Sequence, residues 1–339
     1  MLVSRRDPQP PSTLDLDLER PRERERSAAP RASVLLDGPR RQSPELVAFY
    51  ASLHAKVTDA TFDVAVASRS SAGREAIDAK RDAYAGPYKV EGDLVSAPPM
   101  FKMFRAQPSQ ERVGDLHAIV GRDLAQAVQS GQAPPRAIVK ATQKLIDAGK
   151  LPPPPGDVAT RIKQMQWQYG VGIDCACFTR QCLSAVTGKS DAQLGLDRDQ
   201  GLRGLDGNAH FTKLDVTEVR AGDVITLDPK PPETVGHNVI VRDHVIADTA
   251  RKKEIGVAGP VARSFMASVG PHHVIEVDSA WGAGADGATH GGYRRDTWIL
   301  DESTRVWGHF QPGSGVFLTS KDGPAELDRF HGAYRAKGT

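Results

Sequence analysis

The chain has 339 residues, of which 39% are hydrophobic and 25% charged, enough length for about two domains of ordinary size. Its 44 basic and 42 acidic residues leave a net charge of +2, which argues against the clustered positive excess of a nucleic-acid groove or a polybasic membrane surface. Three cysteines make no disulfide framework, so a thiol kept reduced, or one used for chemistry, is expected.

No run approaches the ~18 apolar residues of a membrane helix. Met1–Pro8 leads into no apolar core, and Asp7-Pro8 follows Arg5-Arg6. Neither a secretory nor a twin-arginine signal is therefore read, and a soluble chain made in the cytoplasm is expected. Residues 1–44 hold seven of the 24 prolines, no aromatic residue and the charged run Glu19–Arg26. Such a segment cannot bury enough apolar surface to offset an ordering entropy of about 1–2 kcal/mol per residue, which predicts disorder.

Residues 45–150 read as a mostly helical region. Leu46, Phe49, Tyr50 and Leu53 follow helical spacing after Ser43-Pro44-Glu45, and alternation over Thr61–Val66 predicts a short strand. From Gln110 onward Val113, Leu116, Ile119, Val120, Leu124 and Val128 form one stripe, broken by Gly131 and Pro134-Pro135. A second helix carries Ile138, Ala141, Leu145 and Ile146 and ends at Gly149. The proline run of residues 151–156 predicts a stiff linker, with Asp157 capping the next helix. Residues 157–339 then contain every feature with chemistry in it.

Asp174 is a good N-cap, and the helix it opens runs to about Gly188. Cys175 stands at its start, where backbone N–H groups and the dipole favour a thiolate. Cys175, Phe178, Cys182 and Ala185 share a stripe, while Cys177 points away from it. Cys182 reads as a small core residue. A Cys-x-Cys metal site lacks a second ligand pair of suitable spacing, so no metal is expected.

The Gly222-Asp223 turn leads into one strand, and Gly236-His237 opens another. An imidazole at a strand's leading end can reach a thiol held on a neighbouring helix, and it is the natural base for that thiol. In the strand His272–Trp281, Ile275 and Val277 share one face and Glu276 and Asp278 the other. Either carboxylate is a candidate to orient the His237 ring. His272-His273 reads as loop polarity, and His244–Asp248 as part of an extra strand pair. Gly291–Leu300 and Thr304–Phe310 predict a closing hairpin turned at Asp301-Glu302-Ser303.

The order of Asp174-Cys175-Ala176-Cys177-Phe178, Gly222-Asp223, His237 and then Asp278 or Glu276 resembles the NlpC-type cell-wall cysteine peptidases, over about residues 165–285. That resemblance implies an α+β, papain-like domain in residues 157–339, with a nucleophile helix packed on an antiparallel sheet. It implies a triad of Cys175, His237 and Asp278, with Glu276 as the alternative third member, and Tyr169 and Trp281 lining the cleft. It implies no cofactor and a substrate among peptidoglycan stem peptides. The absence of a signal segment leaves three explanations: a secretion or injection apparatus, with an immunity protein as partner, phage-type release, or an intracellular substrate. Two further readings stand beside it. One is a transglutaminase-like acyl transferase or deamidase, loosely suggested by the spacing from His237 to Asp248. The other is an inactive papain-like binding module.

Overall fold

The structure is a computed structural model that describes residues 64–97, 100–101, 108–196, 203–231, 236–247, 260–281, 292–310, 317–324 and 328–339. The segment expected to be disordered and the helix expected after Ser43 lie outside the described residues. The first described element is helix α1 (Val64–Tyr84), so the strand expected over Thr61–Val66 is corrected where it is described. Alanine, arginine and lysine recur through this segment and lose little entropy in a helix, which outweighs a six-residue alternation.

A hairpin of β1 (Tyr88–Val90) and β2 (Asp93–Val95) follows, then the short strand β3 (Met100–Phe101). The apolar stripe from Val113 forms two helices, α2 (Gln110–Val120) and α3 (Arg122–Gln129). They part at Gly121, whose φ of 90° lies where a side chain is strained. Helix α4 (Pro135–Asp147) starts on proline and buries Ile138, Ala141 and Leu145. Helix α5 (Val158–Tyr169) is capped by Asp157, whose carboxylate accepts from the Thr160 N–H at 2.7 Å. Strand β4 (Gly172–Ile173) pairs with β3 and leads into α6 (Cys175–Thr187), which ends at Gly188 in the left-handed region.

The helices on the two sides of the proline run pack together. Ile77, Tyr84, Leu116, Ile138 and Leu145 share one core with Met165, Phe178 and Cys182. Leu151 packs on that core, and Arg161 donates to the Pro152 carbonyl at 2.6 Å. The proline run is thus built into the fold and does not separate two cores.

The rest of the chain builds the sheet from β5 (Phe211–Leu214), β6 (Val224–Pro229), β7 (His237–Ala247), β8 (His272–Trp281), β9 (Gly292–Asp301), β10 (Trp307–Phe310), β11 (Phe317–Ser320) and β12 (Asp328–Ala336), with helix α7 (Pro260–Met266) before β8. Its order is β11-β10-β9-β8-β7-β6-β12-β5, with antiparallel neighbours. The protein is therefore mixed α+β with a large antiparallel sheet. His244–Ala247, expected in an extra strand pair, instead continue β7 past a register shift between Val241 and Asp243, and residues 248–259 lie outside the described residues. His272 and His273 lie buried inside β8 instead of in a loop. Hydrogen bonds offset the burial of these rings: His272 Nε2 lies 3.1 Å from the Phe265 carbonyl, and His273 Nδ1 lies 2.9 Å from His244 Nε2. The β9–β10 hairpin closes where expected, with Trp307 opposite Leu300.

The sheet has two buried faces. On one, Val224, Ile240 and Ala280 pack with Phe178 and Cys182 of α6. On the other, Val239, Val241 and Val277 pack with Trp298 and Trp307. The Trp307 ring lies 5.6 Å from that of Phe330, although β10 and β12 are five strand positions apart, about 24 Å in a flat sheet. The sheet therefore curls around its second core. The end of β6 and the starts of β7 and β9 gather at one rim, together with the end of β8. Among the described residues no helix is long and apolar enough to cross a membrane.

Candidate active site

Asp174 has extended backbone, and its carboxylate accepts from the Cys177 N–H at 2.6 Å. Its own N–H donates to the Gly131 carbonyl at 2.9 Å, and its second oxygen accepts from the Gln132 side chain. Gln132 in turn accepts from Arg180. The start of α6 is thus anchored to the loop between α3 and α4, and Cys175 occupies the first helical position. There the aligned peptide dipoles favour a negative sulfur.

The other two thiols have different surroundings. Cys177 Sγ lies 3.8 Å from the Tyr84 hydroxyl and 3.8 Å from the Ala133 carbonyl. Burial, reinforced by the Asp174 charge, pushes its pKa up to about 11. Cys182 is fully buried on the core stripe, as its spacing indicated, and burial pushes its thiol well above the usual range. Cys175 is the thiol at the helix end, 8% exposed.

Helix α6 packs over β7 and β8. Thr179, one helical turn beyond Cys175, donates its hydroxyl to the Asn238 carbonyl at 3.3 Å, and Ser279 donates to the same oxygen at 2.6 Å. The start of α6 therefore lies over the start of β7, where His237 immediately precedes Asn238. Gly236 makes that start feasible, because a Cβ there would run into the Leu227 carbonyl. His237 is buried, and burial followed by the nearby Arg294 charge brings its pKa down to about 3. The ring is neutral at neutral pH.

The two candidate acids go elsewhere. Ile240 stands opposite Asp278 in the ladder, so both project toward α6. His237, three residues before Ile240, projects from the opposite face. Asp278 is fully buried and accepts from Arg295 at 2.9 and 3.2 Å. Glu276, on the same face as Asp278, accepts from Arg242 at 2.6 Å. Asp78 of α1 joins both pairs, taking Arg242 at 2.9 and 3.1 Å and Arg295 at 2.8 Å. These contacts do not deliver Asp278 to the His237 ring. A carboxylate caught between helix and sheet needs a charged partner, and three distant segments converge to supply it. The sequence signal for that network is Arg242 and Arg295, cations within strands whose same-face neighbours Ile240 and Tyr293 pack on the first core.

Tyr169, expected in the cleft, is completely buried. Its hydroxyl accepts from Arg112 at 2.7 Å and reaches Asp115 at 3.5 Å, so it is a core post between α5 and α2. Trp281 ends β8 opposite Gly292, and the β7–β8 register, continued to the rim, brings its position beside that of His237. Among the described residues no group of three or more His, Cys, Asp or Glu is arranged to hold a metal ion.

Sequence reasoning passed over the groups around His237 on the sheet's concave face. Arg294 stands opposite Ser279, and Asp296 opposite Val277, both on the His237 side. Comparison with known proteins returned no match to a family model, a curated protein or a solved structure.

Proposed function

We propose that the chain is a cysteine hydrolase of amide bonds, acting on peptide substrates of the bacterial cell-wall type. The observation that carries this reading is the thiol at the first position of a helix laid over the start of β7; His237, the first residue of that strand, projects from the other face, so the reading requires its ring to reach around the strand end to Cys175. In this reading Cys175 Sγ attacks the amide carbonyl carbon. His237 accepts the thiol proton and returns it to the nitrogen as the C–N bond breaks. The acyl group remains as a thioester, and water, deprotonated by His237, then displaces the sulfur. First-turn N–H groups of α6 supply part of the oxyanion site.

The neutral ring of His237 supports a resting thiol and imidazole in place of a preformed ion pair. Because Asp278 is held by Arg295, the proposal rests on Cys175 and His237 as a dyad. The NlpC-type resemblance, the peptidoglycan substrate and delivery by a secretion or injection apparatus belong to the same proposal.

Incubation of the full chain and its Cys175→Ala variant with peptidoglycan, followed by mass analysis of soluble products, tests it. Stem-peptide fragments from the wild type alone are expected. Absence of fragments from both rejects the wall substrate.

A further inference from the structure

Alternation along β7 sorts its side chains between the two cores. Ile240 pairs with Val224, and both belong to the core under α6. Val239 pairs with Ile225 and His237 with Leu227, and Val239, Ile225 and Leu227 belong to the second core. Asn238, paired with Thr226, therefore turns its side chain toward α6. Since Gly236 precedes the strand, Asn238 is the side chain of β7 nearest the rim on that face. The direction of α6 brings Cys175 to the same place. Late in the helix, Val186 abuts Gly222, where a Cβ would stand 2.6 Å from Val186 Cγ1, and the Gly222 N–H donates to the Val241 carbonyl. Thr179 meets the carbonyl of Asn238, nearer the rim. The helix therefore runs inward from the rim, and Cys175 lies about 6 Å beyond Thr179 along its axis.

Asn238 is 9% exposed. Its main-chain carbonyl accepts from Thr179 and Ser279, whereas its side-chain amide has no hydrogen-bond partner among the described residues. A buried amide in this state costs free energy unless something completes it. Its neighbour Thr226 is committed, with its hydroxyl donating to the Gly332 carbonyl at 3.4 Å. On the helix, the Cys177 N–H donates to the Asp174 carboxylate and the Phe178 N–H to the Asp174 carbonyl. The N–H of Ala176, in the same first turn, has no acceptor among the described residues.

We propose that the Asn238 amide and the Ala176 N–H are the two donors of an oxyanion site at Cys175. The proposal rests on the hydrolase reading and adds a catalytic residue to it. As the bond from Cys175 Sγ to the carbonyl carbon forms, the π pair of that carbonyl moves onto its oxygen. One donor from the helix and one from the sheet meet the new charge, each held on a regular element. When the C–N bond breaks, the pair returns to restore the carbonyl, and the nitrogen leaves with the proton carried by His237. A neutral amide suits this place, because it donates without adding a charge beside the thiol.

The test compares two reactions of Cys175 in the full-length protein at neutral pH. One is acetylation by p-nitrophenyl acetate and the other alkylation by iodoacetamide, each followed by mass mapping. Both need the thiolate, but only acetylation puts negative charge on a carbonyl oxygen. Asn238→Ala is expected to slow acetylation about 100-fold and to leave alkylation within about twofold of the wild type. Asn238→Leu conserves volume, so it gives the same reading if the alanine variant misfolds. Unchanged acetylation in a folded variant, or an equal fall in both reactions, overturns the role of Asn238 and leaves the hydrolase reading standing. Wild-type acetylation no faster than that of the urea-unfolded chain rejects the hydrolase reading itself, and the oxyanion site falls with it.

Discussion

The hydroxyl of Thr179 meets the carbonyl of Asn238 at 3.3 Å, and these two residues come four positions after Cys175 and one after His237. This bond fixes the helix start against the strand start from the inside of the core. Cys175 therefore hangs on a helix packed against the sheet at the start of β7, while the His237 ring projects from the other face of that strand.

The three thiols are expected to react very differently in the folded protein. Iodoacetamide at neutral pH labels Cys175, while Cys177 and Cys182 stay protected until urea unfolds the chain. Burial raises both of their pKa values, and the thiolate is the reacting form. Mass mapping of the adducts checks this. Prompt labelling of Cys177 in the native state would contradict its buried environment.

Asp174 is expected to act on both stability and reactivity. Asp174→Ala removes the acceptor for the Cys177 N–H and costs about 1 kcal/mol in a urea titration. It also removes a negative charge next to Cys175, so the folded variant should alkylate faster at neutral pH than the wild type. A slower reaction would mean that the cap matters more to the thiol by placing the helix than by its charge.

Asp278 and Glu276 are expected to be structural. Glu276→Gln leaves Arg242 without one buried partner and should lower stability by about 3 kcal/mol, as loss of one member of a buried pair does. Asp278→Asn should also destabilise, yet leave unchanged the pH profile of Cys175 alkylation. A displaced profile in that variant would show that Asp278 does steer His237.

His331 links stability to pH. Burial lowers its pKa, but bonds to Asp228 at 2.9 Å and Asp206 at 2.8 Å outweigh burial and raise it. The raised folded value means that the stabilisation is full below the unfolded pKa of about 6.5 and fades as pH rises through the folded pKa. Thermal melts of wild type and His331→Gln should differ at mildly acidic pH and converge at alkaline pH. A gap that widens with rising pH would reverse the assigned sign.

Local chemistry made much of the framework legible in the sequence. Asp157 and Asp174 cap helices because short carboxylates satisfy first-turn N–H groups, and Gly188 ends α6 because glycine accepts the left-handed backbone. Period-two alternation located β8 and separated Ile275 and Val277 from Glu276 and Asp278. Each of these signals acts within a few residues of itself.

The tertiary structure decided what those elements meet. It placed β12 between β5 and β6, merged the helices before and after the prolines into one core, and enclosed Tyr169. It also committed Asp278 to Arg295 and Asp78, leaving the ring of His237 among Arg294 and its neighbours. Spacing along the chain establishes which residues share a face. Which groups face them across the gap depends on strand order and curl, and those arise from burying both sides of the sheet at once.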